Sequence, residues 1–280
     1  KKKTKSIGGT VFNSYSFAFV GSHVKLSSKA FAILRDDPRV KMIVKNGRAR
    51  FFENPLAVKS WGIDRIDQLV LPLDNSYNPP LSGSNTHSYV IDTGLRKTHS
   101  EFTGRIGTGF SALNDNSSPY EDCNGHGTHV AGTVLGTQAG VAKKSTIHPV
   151  RVFGCQGSTT WEIILKAIDW VIANHEKPAV INMSLGGGKN AAIDNAVKSA
   201  TDAGVHVVVS AGNSDQDACK YSPAGAPSAI TVASSTNTDA RSNFSNWGTC
   251  VDIFAPGSSI VSASHTGDNA FRTLSGTSMS

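Results

Sequence analysis

A chain of 280 residues with 39% apolar side chains has enough apolar surface for a substantial buried core, which argues against disorder as its main state. The net charge of +6 is unevenly placed: residues 1–53 hold 12 Lys and Arg against 3 acids, residues 54–280 hold 15 against 18. A basic excess confined to one segment without a reader motif argues against a nucleic-acid partner, and no run reaches the ~18 apolar residues of a membrane span.

The opening "KKKTKSIGG" lacks the apolar stretch of a secretory signal. The stretches "TVFNSYSFAFVG" (10–21), "KAFAILRDDPRV" (29–40) and "KMIVKNGRARFF" (41–52) predict strand, helix and strand, a small α+β unit. "FENPLAVKSWG" then marks an exposed boundary, giving two domains, 1–53 and 54–280.

From residue 54 onward, short Val/Ile-rich runs alternate with helical patterns. "HSYVID" (87–92), "IHPVRVF" (147–153), "PAVINMSL" (178–185), "VHVVVSAG" (205–212) and "AITVAS" (229–234) predict buried parallel strands. "WEIILKAIDWVIANH" and "NAAIDNAVKSATDAG" carry one-sided apolar spacing, and Gly204 suits a helix C-terminal cap. The expected fold is α/β, a parallel sheet covered by helices on both faces, with reactive residues gathered at the carboxyl ends of the strands.

Three such positions carry chemistry. Asp92 ends "YVID", His126 opens a helical "HGTHVAGT", and Ser278 lies in the closing "SGTSMS". A serine hydroxyl needs a base with a pKa near neutrality, and imidazole supplies it when a carboxylate holds its second nitrogen. Asn213, after a buried strand, offers an amide N–H to an oxyanion. Cys123, His126 and His129, spaced by three, also allow a zinc reading, which the absence of an HExxH pattern weakens. Four cysteines allow three pairings.

The motifs "VIDTG", "GHGTHVAGT", "NMSLGGG", "SAGN" and "GTSM", in this order, resemble those of subtilisin-like serine proteases, and "DCNGHGTHVAGT" and "RSNFSNWGTCVDIFAPG" are most similar to the proteinase K and aqualysin branch. The resemblance covers almost all of residues 58–280. It implies a secreted, monomeric serine endopeptidase acting on polypeptides. Asp92 would orient His126, the general base, and Ser278 would be the nucleophile. Asn213 and the Ser278 N–H would bind the oxyanion.

The same resemblance makes Ser184, Leu185, Gly186, Ala211 and Gly212 the substrate-binding strand and pocket, uncharged and therefore suited to apolar or aromatic side chains. It implies disulfides Cys123–Cys155 and Cys219–Cys250. Calcium would be held by Asp64, Asp67, Gln68, Asp74 and Ser76, where the bland alternative is an acid-rich surface turn, and by Asp252 with the carbonyls of Pro227 and Ala229. Residues 1–53 resemble part of the family's inhibitory, chaperoning propeptide of ferredoxin-like fold. Their basic charge complements the acidic remainder, and processing is expected near Glu53–Ala57.

In the family "GTSM" leads into a small residue, Thr or Ser, and "PHVAG" at the start of a long buried helix. The 280 residues are therefore expected to be a precursor segment cut just after the nucleophile, inactive and poorly folded if expressed alone. A catalytically inactive scaffold or inhibitor on the same fold is the rival reading. A serine esterase of the α/β-hydrolase type is disfavoured, because the stretch around Ser278 is not GxSxG and the chain order is Asp, His, Ser. Asn116, Asn182 and Asn243 fit glycosylation sequons, Asn182 in a strand expected to be buried.

Overall fold

The chain divides into two units, Lys1–Phe52 and Glu53–Ser280. The computed structural model describes residues 2–15, 21–43 and 59–280.

In the first unit α1 (Lys2–Ser6) precedes β1 (Thr10–Tyr15), β2 (Gly21–Lys25) and α2 (Ser28–Arg35). The stretch 10–21, expected as a strand, begins with β1, which runs antiparallel to β2, with Thr10 opposite Lys25 and Tyr15 opposite Gly21; residues 16–20 lie outside the described residues. Pairing within the segment satisfies one edge that a lone strand would leave open. Helix α2 starts where Ser27 Oγ accepts the Ala30 N–H at 3.2 Å, and buries Ala30 and Leu34. It stops at Arg35, three residues before Pro38, whose ring disfavours helical geometry in its predecessor. The expected strand 41–52 lies mostly outside the described residues, as does the boundary at Glu53–Ala57.

The second unit comprises, in chain order, α3 (Trp61–Arg65), β3 (His87–Asp92), β4 (Phe110–Ser111), α4 (His126–Leu135), β5 (Thr146–Arg151), α5 (Trp161–Asn174), β6 (Ala179–Met183), β7 (Gly187–Gly188), α6 (Ala191–Asp202), β8 (Val205–Ser210), β9 (Tyr221–Ser222), β10 (Ile230–Ser235), β11 (Ile253–Pro256), β12 (Ile260–Ala263) and β13 (Phe271–Leu274). Seven strands form one sheet in the order β11-β10-β8-β6-β3-β5-β4, and every neighbouring pair is parallel. The five strands read from Val/Ile runs all belong to it.

Two apolar clusters cover the sheet. Tyr89 and Ile91 of β3 join one with Ile164, Ile168 and Val171 of α5 and Ile193 and Val197 of α6. Val90 joins the other with Val130 and Leu135 of α4 and Ile260 of β12. Alternate residues of one strand thus feed opposite faces, as the pleat requires. Helix α6 is capped by the Asn190 side chain, which accepts from Ala192 N and Ile193 N, and ends at Gly204, whose φ of +85° suits the left-handed cap that a side chain would resist.

Disulfides join Cys123 to Cys155 and Cys219 to Cys250 across sequence separations of 32 and 31. In the chain-entropy account a loop of this size restricts the unfolded chain by about 3–4 kcal/mol. Replacing both Cys123 and Cys155 by Ser is expected to lower the unfolding free energy by about that amount. Guanidinium unfolding in a Ser278→Ala background checks it, and a loss below ~1 kcal/mol would show that the loops are held by other contacts.

Candidate active site

Parallel neighbours β8, β6 and β3 point their carboxyl ends the same way, which brings Asn213, Ser184 and Asp92 to one edge of the sheet. Asp92 is fully buried as the last residue of β3. A buried carboxylate needs donors, and it has two: Thr93 N at 2.7 Å and His126 Nδ1, at 2.8 and 2.9 Å from its two oxygens. Because a carboxylate only accepts, Nδ1 carries the imidazole proton and Nε2 keeps its lone pair.

His126 opens α4, and the preceding loop is wound around a residue that sequence reading missed. Asp122 Oδ1 accepts from Thr93 Oγ1, Asn124 N and Gly125 N at 2.9, 3.1 and 2.6 Å; Oδ2 accepts from Thr128 N and Thr128 Oγ1 at 2.9 and 2.7 Å. It satisfies helix-start amides that would otherwise lack partners and places negative charge at the positive end of α4. An Asp four residues before the His of "DCNGHGTH" was the available signal. Gly127 fits because a Cβ there would meet Gly94 O at 2.3 Å, so the helix start lies directly against the end of β3. Burial lowers the His126 pKa, but the charge and hydrogen bond of Asp92, with the charge of Asp122, outweigh it and hold the imidazole above its usual value.

Ser278 lies in a turn closed by Met279 N donating to Gly276 O at 3.1 Å. Its Oγ donates to Ser184 O at 3.3 Å, and Ser184 Oγ donates back to Ser278 O at 3.0 Å. Among the described residues no hydrogen bond joins Ser278 Oγ to His126, so the structure presents two halves, an Asp92–His126 pair and a Ser278 cleft, with the hydroxyl turned to a carbonyl.

Asn213 follows β8. Its Oδ1 accepts from Thr277 N and Thr277 Oγ1, both at 2.8 Å, while Thr277 Oγ1 accepts from Gly212 N at 3.1 Å. A backbone N–H can only donate, so the acceptor end faces Thr277 and the Nδ2 donor end faces away. A Cβ built on Gly276 would lie 3.4 Å from Asn213 Nδ2 and 3.6 Å from Ser278 N, so both donors flank the same spot. Buried Asn246 clasps the loop from behind: Nδ2 donates to Ala211 O at 2.8 Å, and Oδ1 accepts from Ser214 N and Gln216 N, each at 3.0 Å. Neither Thr277 nor Asn246 stood out in the sequence, since an isolated Thr or Asn has no periodicity to betray it.

A cavity of about 260 Å³ opens beside Ser278, lined by Ser184, Leu185, Gly186, Ala211 and Gly212 together with Ser210, Ala224, Tyr221 and Asn246. No charged side chain lines it. Gly187 and Gly188 pair with Tyr221 and Ser222, which leaves Ser184–Gly186 as the stretch beside the cleft.

The zinc reading of Cys123, His126 and His129 fails on three counts. Cys123 is in a disulfide, His126 faces Asp92, and His129 Nε2 contacts the carbonyls of Ile260 and Arg272 at 3.2 and 3.1 Å. Burial pushes the His129 pKa down to about 4, so it stays neutral near pH 7.

The acidic stretch after α3 winds into a loop. Asp64 Oδ1 and Oδ2 accept from Asp74 N at 3.3 Å and Asn75 N at 2.9 Å, Asp67 accepts from Asn78 N at 2.5 Å, and Asp74 accepts from Ser76 N at 2.9 Å. Burial, aided by the charges of Asp74 and Asp67, raises the Asp64 pKa against those two N–H donors. Gln68 spends Nε2 on the carbonyls of Val70 and Pro72, and its buried Oε1 has no partner. A buried oxygen without a partner is a donor of the kind a hard cation takes. At the second candidate position, Asp252 Oδ2 accepts from Thr231 N at 2.8 Å.

A family model described as the Subtilase family matches residues 85–280. The extracellular serine proteinase of Thermus sp. (strain Rt41A) is 52% identical over 97% of this chain and 66% of its own, and alkaline serine exoprotease A of Vibrio alginolyticus is 47% identical over 96% and 50%. A crystal structure of a cold adapted subtilisin-like serine proteinase superposes with a TM-score of 0.75 at 53% identity, covering 78% of this chain and 79% of the other. The chain thus spans between half and two thirds of the length of these curated relatives.

Proposed function

The chain belongs to the subtilase family, and from that premise we propose that it forms the catalytic part of a secreted serine endopeptidase in which Asp92, His126 and Ser278 form and resolve an acyl-enzyme. The observation that carries this reading is the pairing of buried Asp92 with His126 Nδ1, since it leaves Nε2 basic and fixes the ring. In the reaction the Ser278 hydroxyl leaves Ser184 O, gives its proton to His126 Nε2 and attacks the peptide carbonyl. Asn213 Nδ2 and Ser278 N stabilise the resulting oxyanion. The imidazolium then protonates the departing amine, and water, activated by the same His126, hydrolyses the ester. The substrate main chain is proposed to lie along Ser184–Gly186 as an added strand, with an apolar or aromatic side chain in the uncharged cavity.

A second reading, an inactive scaffold or inhibitor, draws on the Ser278 hydroxyl being held by Ser184 O. A fluorophosphonate probe separates the two in the complete protein: adduct on Ser278 supports the peptidase, and intact unlabelled Ser278 supports the scaffold.

Residues 1–53 are proposed to act as the propeptide of this peptidase, inhibitor and folding aid in one chain, and the basic excess of that segment against the acidic remainder supports docking. Extracellular location rests on the printed name of the Thermus relative. Calcium is proposed at Asp64, Asp67, Gln68, Asp74 and Ser76, and at Asp252 with Pro227 and Ala229, where it would supply structural cross-linking. Chelation is expected to lower the unfolding free energy by about 2.7 kcal/mol when calcium had stood at ~100 times its Kd, and Tm falls with it. Calorimetry with and without chelator measures it. Asp64→Asn should abolish most of the difference, and an unchanged Tm in the parent protein would remove the metal from the account.

A further inference from the structure

Outside the cleft, one constellation has no part in the proposed reaction. His87 begins β3 and His148 lies on the neighbouring β5, while Glu176 sits in the loop between α5 and β6. His87 Nδ1 is 2.9 Å from His148 Nε2 and 4.0 Å from Glu176 Oε1. Among the described residues these three form the one group of His, Cys, Asp or Glu side chains whose donor atoms all lie within 4.8 Å of one another. The group stands towards the amino ends of the strands, away from the carboxyl-end edge that carries Asp92.

Each member is positioned by something outside the group. The His148 Nδ1–H donates to Thr108 O at 3.0 Å, which leaves Nε2 as the lone-pair nitrogen. The same ring stacks on Tyr89 at 4.4 Å and leaves no room on the Gly107 side, where a Cβ would fall 2.4 Å from it. Tyr89 Oη accepts the Glu176 N–H at 2.9 Å, which pins the loop that presents the carboxylate. His148 is 2% exposed, whereas the side chains of His87 and Glu176 are 17% and 65% exposed. The result is a buried, pre-oriented imidazole lone pair with a second imidazole and a carboxylate at a rim that solvent reaches.

We propose that His87, His148 and Glu176 form a binding site for a divalent transition-metal ion of zinc type, with water completing its coordination. Two imidazoles and one carboxylate are a ligand set that such ions take, and it differs from the all-oxygen set expected for calcium. Without the ion, His87 Nδ1–H donates to His148 Nε2. Two nitrogens on a tetrahedral zinc stand roughly 3.3 Å apart, given Zn–N distances near 2.05 Å. Binding therefore asks for a shift of a few tenths of an ångström at the more accessible His87, for its proton to move from Nδ1 to Nε2, and for the exposed Glu176 carboxylate to close in from 4.0 Å. A bound ion would tie β3, β5 and the α5–β6 loop together, so its effect is on stability and not on the cleft.

The test uses the complete protein carrying His126→Ala, so that the active-site imidazole neither binds metal nor permits autolysis. After treatment with chelator, zinc alone is titrated by calorimetry. One site is expected, with a rise in Tm, and both His87→Ala and Glu176→Gln should weaken it by roughly tenfold or more. Anomalous scattering at the zinc edge from soaked crystals of the unsubstituted site should place the ion within about 2.2 Å of His87 Nδ1 and His148 Nε2. Absence of binding up to ~1 mM zinc, the level of a Kd worth only about 4.1 kcal/mol, would leave a hydrogen-bonded pair and overturn the proposal. Affinity unchanged by both substitutions, or an anomalous peak elsewhere, would overturn it too.

Discussion

Replacing Ser278 or His126 by Ala in the complete protein is expected to lower kcat by about 10⁶-fold, and Asp92→Asn by about 10⁴-fold. The first size is the one known for subtilisin, a relative in the same family, and the second is that of the same substitution in the unrelated chymotrypsin-type triad; both are carried over as such. What the present structure adds is the division of labour. Asp92 touches the imidazole and not the cleft, so its loss should act on kcat through the ring's tautomer and orientation while KM stays nearly constant. Ser278 and His126 serve a single proton transfer, so the double variant should be no slower than either single one. Steady-state kinetics on a peptide anilide measure all four proteins. A residual rate in Ser278→Ala above one thousandth of the parent would mean that another nucleophile operates.

The same pair predicts the pH profile. A general base must be neutral, and the His126 pKa lies above that of a free imidazole, because the Asp92 and Asp122 interactions outweigh burial. Activity should therefore rise with pH along a limb displaced to the alkaline side of ordinary histidine. Asp92→Asn removes a charge that favours the protonated ring, so the limb should move to lower pH as kcat falls. A limb that stays in place would exclude His126 as its source.

Asn213→Ala is expected to lower kcat by about 10²–10³-fold with little change in KM, again a size carried over from subtilisin. The donor meets charge only as the tetrahedral intermediate forms, which is why its loss falls on kcat. Here the amide is locked by Thr277, whose N–H and hydroxyl both bond Oδ1. Thr277→Ala keeps the first contact and removes the second, together with the link to Gly212 N. It should cost kcat less than Asn213→Ala, and the combined variant should cost no more than Asn213→Ala alone. Asn213→Asp, similar in shape but an acceptor facing the oxyanion, should be at least as damaging as Ala. A full rate in Asn213→Ala would assign the oxyanion to other donors.

Much of this is legible in the sequence. Buried parallel strands announce themselves as Val/Ile runs because both faces are covered, and α5 and α6 do so by the spacing of their apolar residues. The chain order Asp92, His126, Ser278 and the placement of Asn213 after a strand followed from motifs and from where parallel sheets keep their loops. Less legible was the first unit, where "TVFNSYSFAFVG" carries uniform strand character and nothing in it marks that β1 and β2 pair with each other. Thr277 and Asn246 were invisible for a related reason: their work is to satisfy backbone groups distant in sequence, and no local pattern encodes such a partner. Asp122 differs, since the amides it caps lie within six residues of it and its spacing before His126 was a signal that could have been read.

The sequence by itself determined the family, the sheet and the identity of the chemical groups, since these depend on side-chain type and local periodicity. Only the tertiary structure decided which nitrogen of His126 keeps its lone pair, which end of the Asn213 amide faces away from Thr277, and that the Ser278 hydroxyl rests on Ser184 O. It alone also brought His87, His148 and Glu176 together from three separate segments. Hydrogen-bond direction and the convergence of lone pairs are properties of atoms a few ångströms apart, and distance along the chain carries no record of them.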